Sequence, residues 1–251
     1  MTRGARLDPF YRLVVLDSVA STNDEAKARA ADGAPEGTLI WAREQTGGRG
    51  RHRRHWSSPP GNLYLSLVLR PTISVAEAIQ GSFVAAVALS DCLEALLPQG
   101  RRLSHKWPND VLVEGRKIAG ILLESAGGDR LAWLVLGLGV NLASHPQEID
   151  LPATSLGAEG VAVTPQSLLA DLCASLLVWR RRWLEEGFAP VRAAWLARAG
   201  GLDGPLRIEV GRDTLAGTFL GLDETGALVL GLPDGGRRSV AAGEVVRTRG
   251  A

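Results

Sequence analysis

A chain of 251 residues can enclose one hydrophobic core and a small appended domain. Its 28 Lys+Arg against 27 Asp+Glu leave a formal charge of +1, which argues against the broad basic excess of a general nucleic-acid binder. Hydrophobic content of 45% and charged content of 22% fit a soluble globular protein, without internal repeats or low-complexity tracts.

The N-terminus, MTRGARLDPFYRL, lacks the apolar centre of a signal peptide. No uninterrupted apolar run reaches about 18 residues, so a cytoplasmic protein without membrane spans is expected. Cys92 and Cys173 lie in apolar, helix-like stretches and read as buried free thiols. Only Lys27, Lys106 and Lys117 are lysines, so 28 − 3 = 25 of the basic residues are arginine. Two of those three lysines fall within one short stretch.

In chain order, RLVVLD at 12–17 reads as a first strand. STNDEAKARAADG at 21–33 reads as a helix, with Thr22 and Glu25 fitting a capping box and Gly33 a stop. Residues 38–44 form a strand entering a glycine-arginine loop. NLYLSLVLRP at 62–71 alternates, with Leu63, Leu65, Leu67 and Leu69 on one face and Tyr64, Ser66 and Val68 on the other. A long helix is expected over 75–97. HKWPNDVLVEGRKIAGILLES then reads as an irregular entry, a strand at 111–113, a turn at Glu114–Gly115 and a strand at 117–124. A strand over 131–142, a loop-rich stretch at 143–164 and helices at about 165–186 and 188–199 follow. AGGLDGP at 199–205 marks a boundary. Beyond it, strands at about 206–210, 214–222, 226–231 and 237–241 suffice for a small barrel.

Four stretches carry chemistry. GGRGRHRRHW at 47–56 is no P-loop, since G-x-x-x-x-G-K-[ST] is absent. Its glycines still let backbone amides wrap an anion, and Arg49 and Arg51 suit phosphate oxygens. Trp56 can stack on a flat ring, and an exposed basic loop is the plain alternative. GLGVNL at 137–142 lacks the third glycine of a dinucleotide fingerprint, but its glycines permit close approach of a ligand. Asn141 offers both a donor and an acceptor.

The other two stretches are KWPND with GRKIAG, and STN. Lys117 opens an otherwise apolar strand. A strand-end lysine usually just reaches solvent. In a chain that otherwise prefers arginine, a compact ammonium suits a carboxylate attacking a phosphate. Gly120 on the same strand leaves room for a ligand. Ser21, Thr22 and Asn23 place three small polar groups at a helix start, where a cap or a polar head group would bind.

Together and in this order, STNDEAK, AREQTGGRGRHRRHWSSPPGNLYLSL, KWPNDVLVEGRKIAGILLE and LGLGVNL resemble the four catalytic blocks of the biotin protein ligase family. The likeness spans roughly residues 12–250. It implies an α+β fold: a mixed β-sheet catalytic domain flanked by helices, of the class II synthetase type, over 1–202. A small SH3-like C-terminal β-barrel is expected over 203–251. It implies an ATP-dependent, AMP-forming ligase that makes biotinyl-5′-adenylate and passes biotin to one lysine of a carboxyl carrier domain. A lipoate or octanoate ligase, and more distantly a nucleic-acid-binding regulator, are the alternatives.

The resemblance also assigns roles. Ser21, Thr22, Asn23 and Gln45 are expected at the ureido end of biotin. Gly48, Arg49, Gly50 and Arg51 should close over its carboxylate and the phosphate, with Trp56 as a cover. Lys117 is expected at the carboxyl and α-phosphate oxygens, and Gly120 beneath the ligand. Asn141 should meet adenine, with Asn109 at the ATP end and Asp110 as the carboxylate for Mg²⁺. The family loop carries arginine and glycine where this chain has His52 and Arg53. Only about a dozen residues precede the first strand, so no DNA-binding domain is expected. A monomer or a homodimer is the expected assembly, and nothing in the sequence selects between them.

Overall fold

The computed structural model describes residues 7–128, 130–147 and 152–246. Residues 1–6, part of the stretch read above as lacking a leader, lie outside them. The elements run β1 (Arg12–Val19), α1 (Thr22–Ala31), β2 (Thr38–Gln45), β3 (Leu63–Leu69), α2 (Gln80–Leu96), β4 (Leu103–Lys106), β5 (Asp110–Val113), β6 (Arg116–Gly127) and β7 (Leu131–Val140). Two helices follow, α3 (Pro165–Glu186) and α4 (Ala189–Leu196). The last five strands are β8 (Pro205–Val210), β9 (Asp213–Leu222), β10 (Leu228–Gly231), β11 (Arg237–Val240) and β12 (Glu244–Val246).

The first seven strands form one sheet in the order β1-β2-β3-β7-β6-β5-β4. β1 and β2 are parallel and the other pairs antiparallel, so the sheet is mixed. The alternation in Leu63–Leu69 explains its layering. Leu63, Leu65, Leu67 and Leu69 join the main core with α2, α3 and α4. Val68, on the opposite face, packs with Ala26 and Ala30 of α1 and with Ile40 and Val135. Both faces of β3 are therefore covered, and none of its residues is exposed. A period of two has become two cores of unequal size.

The stretch Glu77–Leu96 is long and apolar enough to cross a membrane by length and composition. Two-thirds of it (67%) is buried against α3, α4 and the sheet, as expected for a core helix. The C-terminal strands form a five-stranded antiparallel sheet, β11-β10-β9-β8-β12. It docks on the first part of the chain. Trp107 Nε1 donates to the Gly226 carbonyl at 3.1 Å, and Arg192 donates through Nε to the Leu222 carbonyl at 2.7 Å.

Three expectations need correction. The cap of α1 is Ser21, whose hydroxyl accepts from the Asp24 amide; Thr22 is already helical, and Glu25 pairs with Arg29 instead. The stretch before Pro108 is not wholly irregular, because Leu103–Lys106 pairs with β5 before the cis Trp107–Pro108 bond. β12 adds a strand that three residues of sequence were too short to signal.

Candidate active site

Glycines make the floor of the site. Gly120 on β6 faces Gly139 on β7, and Tyr64 and Ser66 of β3 face Gly139 and Gly137. The bare backbone admits two large neighbours. A Cβ at Gly139 would fall 2.5 Å from the indole nitrogen of Trp56, and one at Gly120 would fall 3.1 Å from its ring. A Cβ at Gly137 would collide with the Asn23 carboxamide. The close approach read from GLGVNL is thus made first by the protein's own side chains. Trp56 Nε1 is buried and makes no hydrogen bond among the described residues.

Above this floor opens a cleft of about 1290 Å³. Every predicted site residue lines it except Gly48. Gly48 sits beneath the loop, its carbonyl accepting from the Trp56 amide at 2.9 Å; a side chain there would strike Ser58 and the Trp56 carbonyl at 2.5 Å.

At one end, the start of α1 is locked by mutual hydrogen bonds. Ser21, Thr22 and Asn23 are buried. Thr22 donates to Gln45 Oε1 from its amide at 2.8 Å and its hydroxyl at 3.0 Å. Gln45 Nε2 donates to Ser58 at 2.9 Å. Ser66 donates to Asn23 Oδ1 at 2.6 Å, and Asn23 Nδ2 donates to Glu124 at 2.9 Å. Such a chain fixes the orientation of polar groups before a ligand arrives.

The arginine loop is folded. Arg49 and His55 form a β-bridge, and Arg51–Arg53 make a single tight turn. Arg49 grips Asp24 with both terminal nitrogens, at 2.7 and 2.9 Å, and reaches Glu124 at 2.9 Å. Burial opposes its charge, but the hydrogen bonds to Asp24 and Glu124 outweigh burial and raise its pKa. Lys27 joins the same carboxylates, at 2.9 Å to Asp24 and 2.8 Å to Glu124. Arg51 lies deeper. Burial pulls its pKa down, against the support of Glu244 and Asp110. His52 and Arg53 both take positive φ, 54° and 58°. These are the positions where the chain departs from the family loop.

At the other end, Lys117 Nζ lies 2.6 Å from Asp110 Oδ1 and 5.2 Å from the Trp56 ring centroid. The contact with Asp110 is close but poorly aligned, and the buried Oδ1 makes no proper hydrogen bond. Asn109 uses its Nδ2 on the Ile121 carbonyl at 2.7 Å. Asn141 donates from Nδ2 to the Thr154 carbonyl at 3.0 Å. No group of three His, Cys, Asp or Glu that could hold a metal occurs among the described residues. A single carboxylate with an unsatisfied oxygen fits Mg²⁺ that arrives on nucleotide phosphates, since Mg²⁺ commonly needs only one or two protein carboxylates.

Sequence reasoning missed Asp24, Glu124, Ser58 and Glu244. Glu124 carried a usable signal, as a lone carboxylate closing the apolar run GILLE. The others depend on contacts between distant segments. Arg49, Arg51 and Lys117 each face an oxygen of the chain, so an entering anion exchanges partners with them instead of meeting bare charge.

The sequence profile of the biotin/lipoate A/B protein ligase family matches residues 15–141. That of the biotin protein ligase C terminal domain matches residues 205–247. A biotin–[acetyl-CoA-carboxylase] ligase of Paracoccus denitrificans is 43% identical over 232 residues, covering 90% of this chain and 96% of that one. The bifunctional ligase/repressor BirA of Bacillus subtilis is 34% identical, over 92% of this chain and 72% of its own length. The biotin protein ligase from Aquifex aeolicus in complex with biotin and ATP superposes with a TM-score of 0.79 at 27% identity, covering 94% of this chain and 98% of that one. The chain belongs to the biotin/lipoate A/B protein ligase family.

Proposed function

We propose a division of labour for this family member, an ATP-dependent biotin protein ligase acting on a carboxyl carrier domain. The observation that carries it is the meeting of a preset polar pocket, a glycine floor and a lysine in one cleft. Biotin's ureido group enters against Ser21, Thr22, Asn23 and Gln45, whose orientations are already set. Its chain runs alongside Trp56, whose ring already covers Gly120 and Gly139, leaving the carboxylate near Lys117. ATP takes the end formed by Asn109, Asp110 and Asn141, where Asp110 would hold Mg²⁺ brought by the nucleotide, an ion that would supply charge screening.

A carboxylate is a poor acyl donor and repels a triphosphate. Lys117 offsets that repulsion with a compact charge at the developing oxygens. A biotin carboxylate oxygen attacks the α-phosphorus, and the bond to pyrophosphate breaks. The carrier lysine amine then attacks the acyl carbon, AMP leaves, and the amine loses a proton. Arg49, Gly50 and Arg51 cover the labile adenylate between the two steps and keep water away. Two separate sheets support a division at 202/203.

Biotin-dependent exchange of labelled pyrophosphate into ATP tests the first step alone. Wild type is expected to exchange. Lys117→Ala should lower the rate by about 100-fold or more, the scale of removing one preorganised charge-stabilising group, with melting temperature little changed. Wild-type rates in Lys117→Ala would remove Lys117 from the chemistry.

A further inference from the structure

A segment within the loop-rich stretch crosses back over the nucleotide end as a strap. Ala153 forms a parallel bridge with Lys117. The Lys117 amide donates to the Pro152 carbonyl at 2.7 Å, and the Thr154 amide donates to the Lys117 carbonyl at 2.9 Å. Leu156 N donates to the Asn141 carbonyl at 3.1 Å. The strap therefore fixes the backbone of the two residues assigned to phosphate and adenine, and its Thr154 carbonyl takes the Asn141 amide hydrogen.

What holds the strap is Glu159, a carboxylate with no exposed side-chain surface. It accepts from the Thr154 hydroxyl at 2.5 Å and from Arg116 at 2.6 Å, with Arg101 3.3 Å away. Both arginines are partly exposed, so the charge is buried on one side only. A buried carboxyl in an otherwise apolar turn costs stability unless it fixes something. Among the described residues, the one side chain it fixes deep in the fold is Thr154, one residue beyond the cleft wall formed by Pro152 and Ala153.

We propose that Glu159 is a positioning residue for nucleotide binding. Through Thr154 it sets the strap, and through the strap it aims the Asn141 carboxamide. With Nδ2 turned to the Thr154 and Lys117 carbonyls, at 3.0 and 3.5 Å, Asn141 presents Oδ1, an acceptor suited to the exocyclic amine of a base. This rests on the reading of Asn141 given above.

The test uses Glu159→Ala, Glu159→Gln and Thr154→Val in the full chain, by pyrophosphate exchange and by biotin titration without ATP. Glu159→Ala and Thr154→Val should raise KM for ATP about tenfold, as when a buried hydrogen-bond partner is removed. Biotin affinity should stay within about threefold. Glu159→Gln keeps an oxygen for Thr154 and should recover most of the loss. Amide hydrogen exchange at Lys117 and Thr154 should quicken in the same two variants, with no ligand present. If wild type exchanges pyrophosphate but KM for ATP stays within about twofold in both variants, this proposal falls alone. It falls too if biotin affinity drops in parallel with ATP. If wild type shows no biotin-dependent exchange, the functional reading falls and this one with it.

Discussion

Arg51 donates through both terminal nitrogens to the Gly243 carbonyl, at 3.2 Å each, across 192 residues of chain. The loop over the cleft is thereby fastened to the turn before β12. Arg54 reinforces the contact with a two-pronged ion pair to Glu244, one prong at 2.6 Å. Glu244, Val245 and Val246 also line the cleft, so the C-terminal sheet forms part of its wall. Burial opposes ionisation of Glu244, but Arg54 outweighs it and lowers the pKa.

This clasp should be measurable by charge reversal. Arg54 is 65% exposed, so the pair stabilises the closed loop by only about 0.5 kcal/mol, screened by salt. Arg54→Glu or Glu244→Arg should increase the biotinyl-adenylate escaping to solution per biotin transferred by about twofold. The double reversal should restore it. A double variant as leaky as the sum of the singles would show that the two side chains act separately.

Gly139→Ala places a methyl group against the Trp56 indole. Either the cover lifts or the strand shifts, and both spoil the floor. Biotin affinity by calorimetry should fall about tenfold, with a loss of stability of about 1–3 kcal/mol from overpacking. Unchanged affinity would mean that Trp56 stands elsewhere when biotin binds.

Arg53 holds φ +58°, where an L residue costs about 1–2 kcal/mol. Arg53→Gly should leave adenylation within about threefold of wild type, because glycine takes this conformation freely. Arg53→Val, β-branched and worse in the left-handed region, should slow it by about tenfold or more. Equal rates for the two variants would exclude this loop geometry.

His105 is fully buried, stacked on Trp195, with Nε2 2.8 Å from Ser90 and Nδ1 3.1 Å from the Trp195 carbonyl. A carbonyl only accepts, so Nδ1 carries the hydrogen and the Ser90 hydroxyl donates to Nε2. Burial is the main force holding its pKa down to about 4. Above the ordinary value of about 6.5 both folded and unfolded forms are neutral, and stability is complete. As pH falls from there towards 4, only the unfolded chain gains the proton, and stability drops by a total of about 3 kcal/mol. Melting temperature against pH should fall over that window, and His105→Gln, less stable overall, should flatten the slope. A slope unchanged in the variant would assign the acid sensitivity to other groups.

The sequence revealed the parts of this protein that rest on local pattern. The alternation in Leu63–Leu69 and the turn at Glu114–Gly115 needed only neighbours along the chain. Lys117 stood out because the chain otherwise prefers arginine. What stayed hidden came from long-range pairing. Thr22 and Ser21 are both good caps, and only the contact of Thr22 with Gln45 decides between them. Leu103–Lys106 became a strand because β5 lay beside it, and the four residues carry too little periodicity to say so. Asp24 and Glu124 joined the site through Arg49, a partner 25 residues from one and 75 from the other.

The most direct test mixes the protein with biotin, Mg·ATP and a carboxyl carrier domain, and weighs the carrier by mass spectrometry. The carrier should gain one biotinyl group on one lysine, only when ATP is present, and none when that lysine is replaced by arginine. No adduct with biotin, together with acylation of an acceptor domain when lipoate or octanoate is supplied instead, would contradict the account.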